Sequence, residues 1–179
     1  RLLEEMERNL LQHDADVAIR MGRGDWPGVI SRFLVGIELL PVCSPRLLEG
    51  RAPLVHPGDL GRYTLLQSVA RPDYWPTWLQ AAGAGDIDPD RGLTFESVSL
   101  AYQAALEGLG VAMGQHALVA DDLASGRLVA PFGLRVPIDN AFYLIYPERL
   151  QYDAHLCTFR DWILAEARAD ETRRASPPA

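Results

Sequence analysis

Apolar positions along this chain fall into short runs whose spacing changes from one segment to the next. Leu2, Leu3, Met6 and Leu10 recur at helical intervals among Glu and Arg, which predicts an amphipathic helix at the start. Asp14-Ala15-Asp16 then leads into Val17-Ala18-Ile19, a brief apolar strand suited to burial on both faces of a parallel sheet. Gly22, Gly24 and Pro27 stop it. A second extended run, Leu34–Cys43, closes at Ser44-Pro45. Pro53, Pro57 and several turn formers mark Arg46–Leu60 as a connection.

Tyr63–Leu66 reads as a strand, with Gln67 and Ser68 following at its carboxyl end. Trp75, Trp78 and Leu79 stand at i, i+3 and i+4, so both indoles share one helical face, and aromatic residues so placed bury apolar area in a core. Leu93-Thr94-Phe95 predicts another strand, and Ser97 or Ser99 opens a helix over Val98–Leu106. Gly108, Gly110 and Gly114 bracket Val111-Ala112-Met113, where glycine ends one helix and lets the next strand approach closely. Leu118–Leu123 reads as a helix carrying a solvated Asp121-Asp122 pair, and Arg127–Val129 as a short strand. Phe142–Tyr146 is the strongest strand by aromatic and β-branched content. Leu156, Phe159, Trp162 and Ile163 describe a closing helix, and Ala169–Ala179 a charged, Ser/Pro-rich disordered tail.

Composition narrows the function classes. The 179 residues suffice for one core or two small lobes, and 48% hydrophobic with 23% charged is ordinary for a soluble chain. A formal net charge of −7 argues against DNA contact by this segment, because phosphate neutralisation draws on Lys and Arg. All 17 basic residues are arginine, a skew that points to a GC-rich coding sequence and not to a binding role. Cys43 and Cys157 lie far apart and suit reduced thiols of a cytoplasmic protein, with no metal spacing. No apolar run approaches the roughly 20 residues of a membrane span, and Arg1–Gln12 is too charged for a signal peptide.

Candidate chemistry is sparse. His13, His56, His116 and His155 are scattered, and HExxH, GxSxG and CxxC are absent, so neither a catalytic constellation nor a metal site is expected. GLGVAMG lacks the order of a phosphate loop, so no nucleotide or other cofactor is expected there. In open α/β sheets ligands bind beyond the carboxyl ends of strands, where Arg20 would lie. Its guanidinium either clamps a ligand carboxylate bidentately or ties down the GRGDWPG turn. Gln67 and Ser68 are placed to face a ligand. A serine at a helix start satisfies an orphan amide, and the same helix end, with its positive dipole, can hold a carboxylate.

Six blocks in order resemble the effector-sensing domain of LysR-type transcriptional regulators: DVAIRMGRGDWPG with ELLPVCSP, then DLGRYTLLQS, YWPTWLQAAG, FESVSLAYQAALEGLGVAMG, LVADDLASGRLVAPF and AFYLIYPERLQYDAHLCTFRDWILAEA. The AIRMGRGDWPG form resembles the subgroup that contains the glycine-cleavage activator. The resemblance covers roughly residues 10 to 168. It implies an α/β, two-lobed periplasmic-binding-protein-like (type II) fold, with lobe I from 1–44 and 141–168 and lobe II from 45–140.

By the same resemblance the domain is truncated at its N-terminus, without a first strand, a first helix and the winged helix-turn-helix. An effector, a small carboxylate or amino acid, would bridge the lobes and bias their orientation in a homodimer or homotetramer, with one of Ser97 and Ser99 capping and the other facing the ligand. DNA would be read only by the absent helix-turn-helix, with no membrane contact. The alternative is a solute-binding protein of a transport system, which shares the architecture, since fold does not fix function.

Overall fold

A computed structural model describes residues 16–175. One compact unit is built from the residues up to Ile37 and from Ile138 onward, and the other from Glu38–Pro137. These bounds differ from the expected 44/45 and 140/141. The chain passes from one unit to the other within long strands, whereas turn-forming residues had suggested the proline-rich connection.

In the first unit β1 (Ala18–Gly22) pairs with β6 (Val136–Pro147), from Ala18 opposite Ile145 to Gly22 opposite Ala141, and β6 lies beside β2 (Val29–Val42). The pairing of β1 is antiparallel, and Ile19 is 52% exposed, so the expectation of a parallel strand buried on both faces does not hold. A run of three apolar residues carries no information about the direction of its partner. Leu34, Leu144, Tyr146 and Leu156 form the core, with Val17, Ile30, Phe142 and Ile163 packed against it.

The closing helix, α5 (Ala154–Ala175), is longer than its apolar spacing required. Residues 169–175 are helical and not a disordered tail, because Arg, Ala and Glu are good helix formers and proline first appears at Pro177. Only part of its expected apolar face is covered: Leu156 is buried, while Phe159 and Trp162 are exposed. The expected amphipathic helix over Arg1–Gln12 and the end of the expected tail lie outside the described residues.

In the second unit the strand order is β2-β5-β3-β4. The end of β2 runs antiparallel to β5 (Val111–Gln115), while β3 (Leu65–Ser68) is parallel both to β5 and to β4 (Leu93–Phe95). Four helices connect them: α1 (Pro45–Leu48), α2 (Tyr74–Ala81), α3 (Val98–Leu106) and α4 (His116–Ala124). Within the connection before β3, the Asp59 carboxylate accepts from the Val55 and His56 N–H groups and from Arg62, which fixes the turn Pro57–Arg62. Those backbone hydrogen bonds hold the Asp59 carboxyl below its usual pKa.

The indoles of α2 are buried as their spacing predicted: Trp75 donates to the Leu66 carbonyl at 3.1 Å and Trp78 to the Leu134 carbonyl at 3.3 Å. Leu40, Val42, Leu66 and Ala112 share one face of the sheet and pack there with Ala105 of α3 and Val119 of α4. Two glycines stand against β3, Gly92 beside the Leu65 carbonyl and Gly110 beside the Thr64 carbonyl, each where a Cβ would overlap backbone. Arg127–Val129 forms no strand of its own, only a single bridge between Val129 and Cys43. Asp122 is not simply solvated: it pairs with Arg127 at 2.5 Å, while Asp121 is exposed.

Candidate functional site

The parallel strands of the second unit bring Ser68, Phe95 and Gln115 to one edge, the carboxyl edge at which open α/β sheets bind ligands. Two helices open there. Ser97, separated from β4 by Glu96, caps α3, its hydroxyl accepting from the Leu100 N–H at 3.3 Å, and α4 starts immediately after Gln115. Ser99 is the second residue of α3, within its first turn, and is exposed. The open choice between the two serines is thus decided for the cap: Ser97, the residue with extended backbone, fills it.

Ser68 is buried and accepts from the Ala70 N–H at 3.3 Å, so its hydroxyl shapes the loop after β3. Gln67 is buried too, but its amide donates to the Pro89 carbonyl and to Asp90 Oδ1, holding the turn that precedes β4.

Three side chains that the sequence did not single out complete this edge: Arg71, Tyr74 and Gln115. Ser68, Arg71, Tyr74, Val98 and Met113 are among the residues lining a cavity of about 10 Å³, room for about one water. Arg71 donates to the Ala70 carbonyl at 2.6 Å and hydrogen-bonds the Tyr74 hydroxyl. Gln115 Nε2 donates to the same hydroxyl at 3.0 Å. Burial raises the Tyr74 pKa against the pull of Arg71.

Gln115 is 2% exposed, its backbone N–H donates to the Tyr102 hydroxyl at 2.9 Å, and its Oε1 is buried with no hydrogen-bond partner. Tyr102 itself is pushed up to about 12 by burial. Beside Gln115, His116 Nδ1 lies 4.0 Å from Glu38 Oε2, which Arg135 also approaches at 3.7 Å. The one sequence signal for this group was Arg71, a basic residue three positions after Ser68 in the loop entering α2. Nothing local marks Gln115.

In the first unit Arg20 sits inside β1, opposite Tyr143, and not beyond the end of the strand as expected. Five-residue β1 continues to Gly22, so the polar residue after the apolar run is still paired. The guanidinium is buried and lies over the Trp26 ring, 4.6 Å from its centroid. Trp26 meets Tyr143 edge-on at 5.7 Å, and Phe33 does so at 5.8 Å. Gly22 and Gly24 make the fold-back possible: a Cβ would stand 2.5 Å from Trp26 at the first and 2.6 Å from Tyr143 at the second, where φ is also +89°. A guanidinium stacked by its face still directs its N–H groups outward in its plane, so tying down the turn and binding a carboxylate are compatible roles.

Among the described residues no group of three or more His, Cys, Asp or Glu side chains could hold a metal ion, and no helix is long and apolar enough to cross a membrane. Cys43 and Cys157 are free thiols, and burial pushes Cys43 up to about 11.

The model of the LysR substrate binding domain family matches residues 2–168. The glycine cleavage system transcriptional activator of Escherichia coli (strain K12) is 38% identical over 169 residues, covering 94% of this chain and 55% of that protein. The HTH-type transcriptional activator AmpR of Rhodobacter capsulatus is 34% identical over 158 residues, covering 88% and 53%. The chain therefore spans about half the length of the curated relatives it matches. Among solved structures, the effector domain of the transcriptional regulator AmpR of Pseudomonas aeruginosa superposes with a TM-score of 0.79 at 31% identity, covering 94% of this chain and 79% of that one. The regulatory domain of CrgA from Neisseria meningitidis, at 23% identity and a TM-score of 0.70 over 89% of this chain and 78% of that one, shares the fold. These relatives are transcription regulators, not transport receptors or enzymes. Matched over nearly its whole length, with the strand, turn and helix blocks in the family's order, this chain belongs to the LysR substrate-binding domain family.

Proposed function

We propose that this chain is the effector-sensing part of a bacterial transcription regulator and that its effector is a small carboxylate or amino acid. The observation that carries the reading is the carboxyl edge of β3, β4 and β5, where Ser68 and the Ser97-capped start of α3 stand together. A helix start offers unpaired N–H groups and the positive end of the dipole to an anion. Ser99, in the same first turn, and Gln67, beside Ser68, belong to this proposed site; within the first unit, Arg20 is the proposed carboxylate contact.

The regulator works in the cytoplasm as a homodimer or homotetramer. DNA contact falls to a helix-turn-helix outside this acidic chain, in keeping with its net charge of −7. The effector acts by binding one conformation better than another, and can shift that balance only by its differential affinity.

A thermal-shift screen tests the effector class, using glycine, serine, alanine, acetate, glycolate and succinate against acetamide and ethanolamine. Stabilisation by members of the carboxylate set, absent with the neutral and cationic compounds, is the expected result. For a carboxylate that does bind, Arg20→Ala is expected to lower affinity about tenfold or more, the worth of a hydrogen bond to a charged group. A chain stabilised equally by acetamide, or by none of the carboxylates, sinks the proposal.

A further inference from the structure

We infer that Arg71, positioned by Tyr74, is the carboxylate-binding residue of the second unit, and that the Gln115 amide receives a hydrogen-bond donor of the same ligand, so that the effector is an α-amino or α-hydroxy acid. This rests on the effector site proposed above and narrows it.

The inference starts from Gln115. Its side chain is buried at the carboxyl end of β5, yet Oε1 has no partner. A buried amide oxygen without a hydrogen bond is costly, and such groups are rare in folded proteins. Exchanging the amide oxygen and nitrogen does not remove the problem. The Tyr74 hydroxyl can serve either end, and whichever end it serves, the other is left over. Tyr102 does not supply the missing group: its hydroxyl accepts from the Gln115 backbone N–H, and Oε1 has no donor within hydrogen-bonding reach.

The amide is one hydrogen bond from Tyr74, and Tyr74 is a wall of the cavity that Arg71, Ser68 and Val98 also line. A cation, a hydroxyl and the first turn of α3 thus line the cavity together with Tyr74, and the orphaned amide, which is not itself a wall, meets the same Tyr74 hydroxyl as Arg71 does. That pairing of chemistries fits a molecule with a carboxylate at one end and an N–H or O–H donor close to it. The guanidinium recognises the carboxylate through directed, charge-assisted hydrogen bonds. The ammonium or hydroxyl of the ligand satisfies Gln115 Oε1. A simple carboxylate such as acetate meets only the first requirement. The cavity holds about one water, so the ligand enters by displacing the half-buried Arg71 side chain from the Ala70 carbonyl.

The test measures Kd by calorimetry for glycine, serine, glycolate and acetate on the whole chain and on Arg71→Gln, Arg71→Lys and Gln115→Met, with circular dichroism verifying that each variant is folded. On the unaltered chain one of the first three compounds is expected to bind about tenfold or more tighter than acetate, the worth of one charge-assisted hydrogen bond. Arg71→Gln weakens both classes by about the same factor, and Arg71→Lys restores part of the loss because it keeps the charge without the fork. Gln115→Met brings the amino or hydroxy acid down toward acetate and leaves acetate unchanged. Should acetate bind as tightly as the others, or should Arg71→Gln leave binding within about twofold, this inference is overturned while the carboxylate reading stands. If none of the four binds the unaltered chain, the inference is overturned, and failure of the whole carboxylate screen overturns the wider reading with it.

Discussion

Replacing Gly110 by alanine should separate two strands of the second unit. Gly110 is buried and immediately precedes β5, at the point where Val111 N–H donates to the Thr64 carbonyl at 2.9 Å. A Cβ built on Gly110 overlaps that same carbonyl oxygen and stands 2.9 Å from Leu66 Cδ2. The leucine end can turn aside, but the carbonyl is backbone. Bringing the methyl out to an ordinary contact of 3.4 Å requires β3 and β5 to part by about 1 Å. That stretches the Val111–Thr64 bond past useful hydrogen-bonding distance.

The loss has two parts: a backbone donor left unsatisfied, about 1–3 kcal/mol, and strain in a filled core, of similar size. Since part of the strain is relieved by the same movement that breaks the bond, the sum is about 2–4 kcal/mol. Urea denaturation followed by far-ultraviolet circular dichroism measures it. Gly133→Ala is the control: nothing lies within 4 Å of its built Cβ, so it should change stability by no more than about 1 kcal/mol, in the stabilising direction if at all. A Gly110→Ala loss below about 1 kcal/mol would refute the claim that this glycine sets the approach of β5 to β3.

Further tests concern the α3 cap and the buried acids. Ser97→Ala should cost about 1 kcal/mol by the same urea measurement, whereas Ser99→Ala, at an exposed position in the first turn, should cost little; equal effects would contradict the assignment of the cap. Cys43 is pushed up to about 11 from 9.0, and Tyr102 to about 12 from 10.0, both by burial. In each case the folded chain holds its proton more tightly than the unfolded chain. Their contribution is therefore fully present below about pH 9 and is lost as pH rises toward 12. Urea midpoints that stay level from pH 8 to about 11 would count against this, and Cys43→Ala should flatten the first part of the decline.

The features legible in the sequence are those set within a few residues. The i, i+3 spacing of Trp75 and Trp78 gave a buried face because helix geometry alone decides it. Val98–Leu106 emerged with its stated ends because a serine and a glycine-rich turn bound it. The family resemblance supplied the order of the blocks. Pairing direction was not legible, and β1 joined β6 in the opposite sense to that expected, because nothing in Val17-Ala18-Ile19 specifies a partner. In the sequence Arg20 reads as either a ligand clamp or a tie for the turn, and its place inside a strand is not legible there because it depends on Tyr143 and Trp26. Arg71 and Tyr74 are near neighbours in the chain, but Gln115 comes from a strand end 41 residues beyond Tyr74, and only folding brings it to them. A buried amide lacking a partner cannot be seen in a sequence at all, since every glutamine looks alike there.

The distribution of indoles gives this chain two separable optical signals. Trp75 and Trp78 are sealed in the second unit, and Trp75 forms one wall of the cavity beside Ser68 and Arg71. Trp26 and Trp162 belong to the first unit, the latter 57% exposed. A dissolved quencher such as iodide or acrylamide collides with the outlying ring and is screened from the sealed pair. Emission that persists under quenching therefore comes chiefly from the second unit, and a change in it on titration reports on the surroundings of Trp75 without any attached dye. With Trp26, Trp78 and Trp162 replaced by phenylalanine, the remaining fluorescence becomes a direct readout of that one wall.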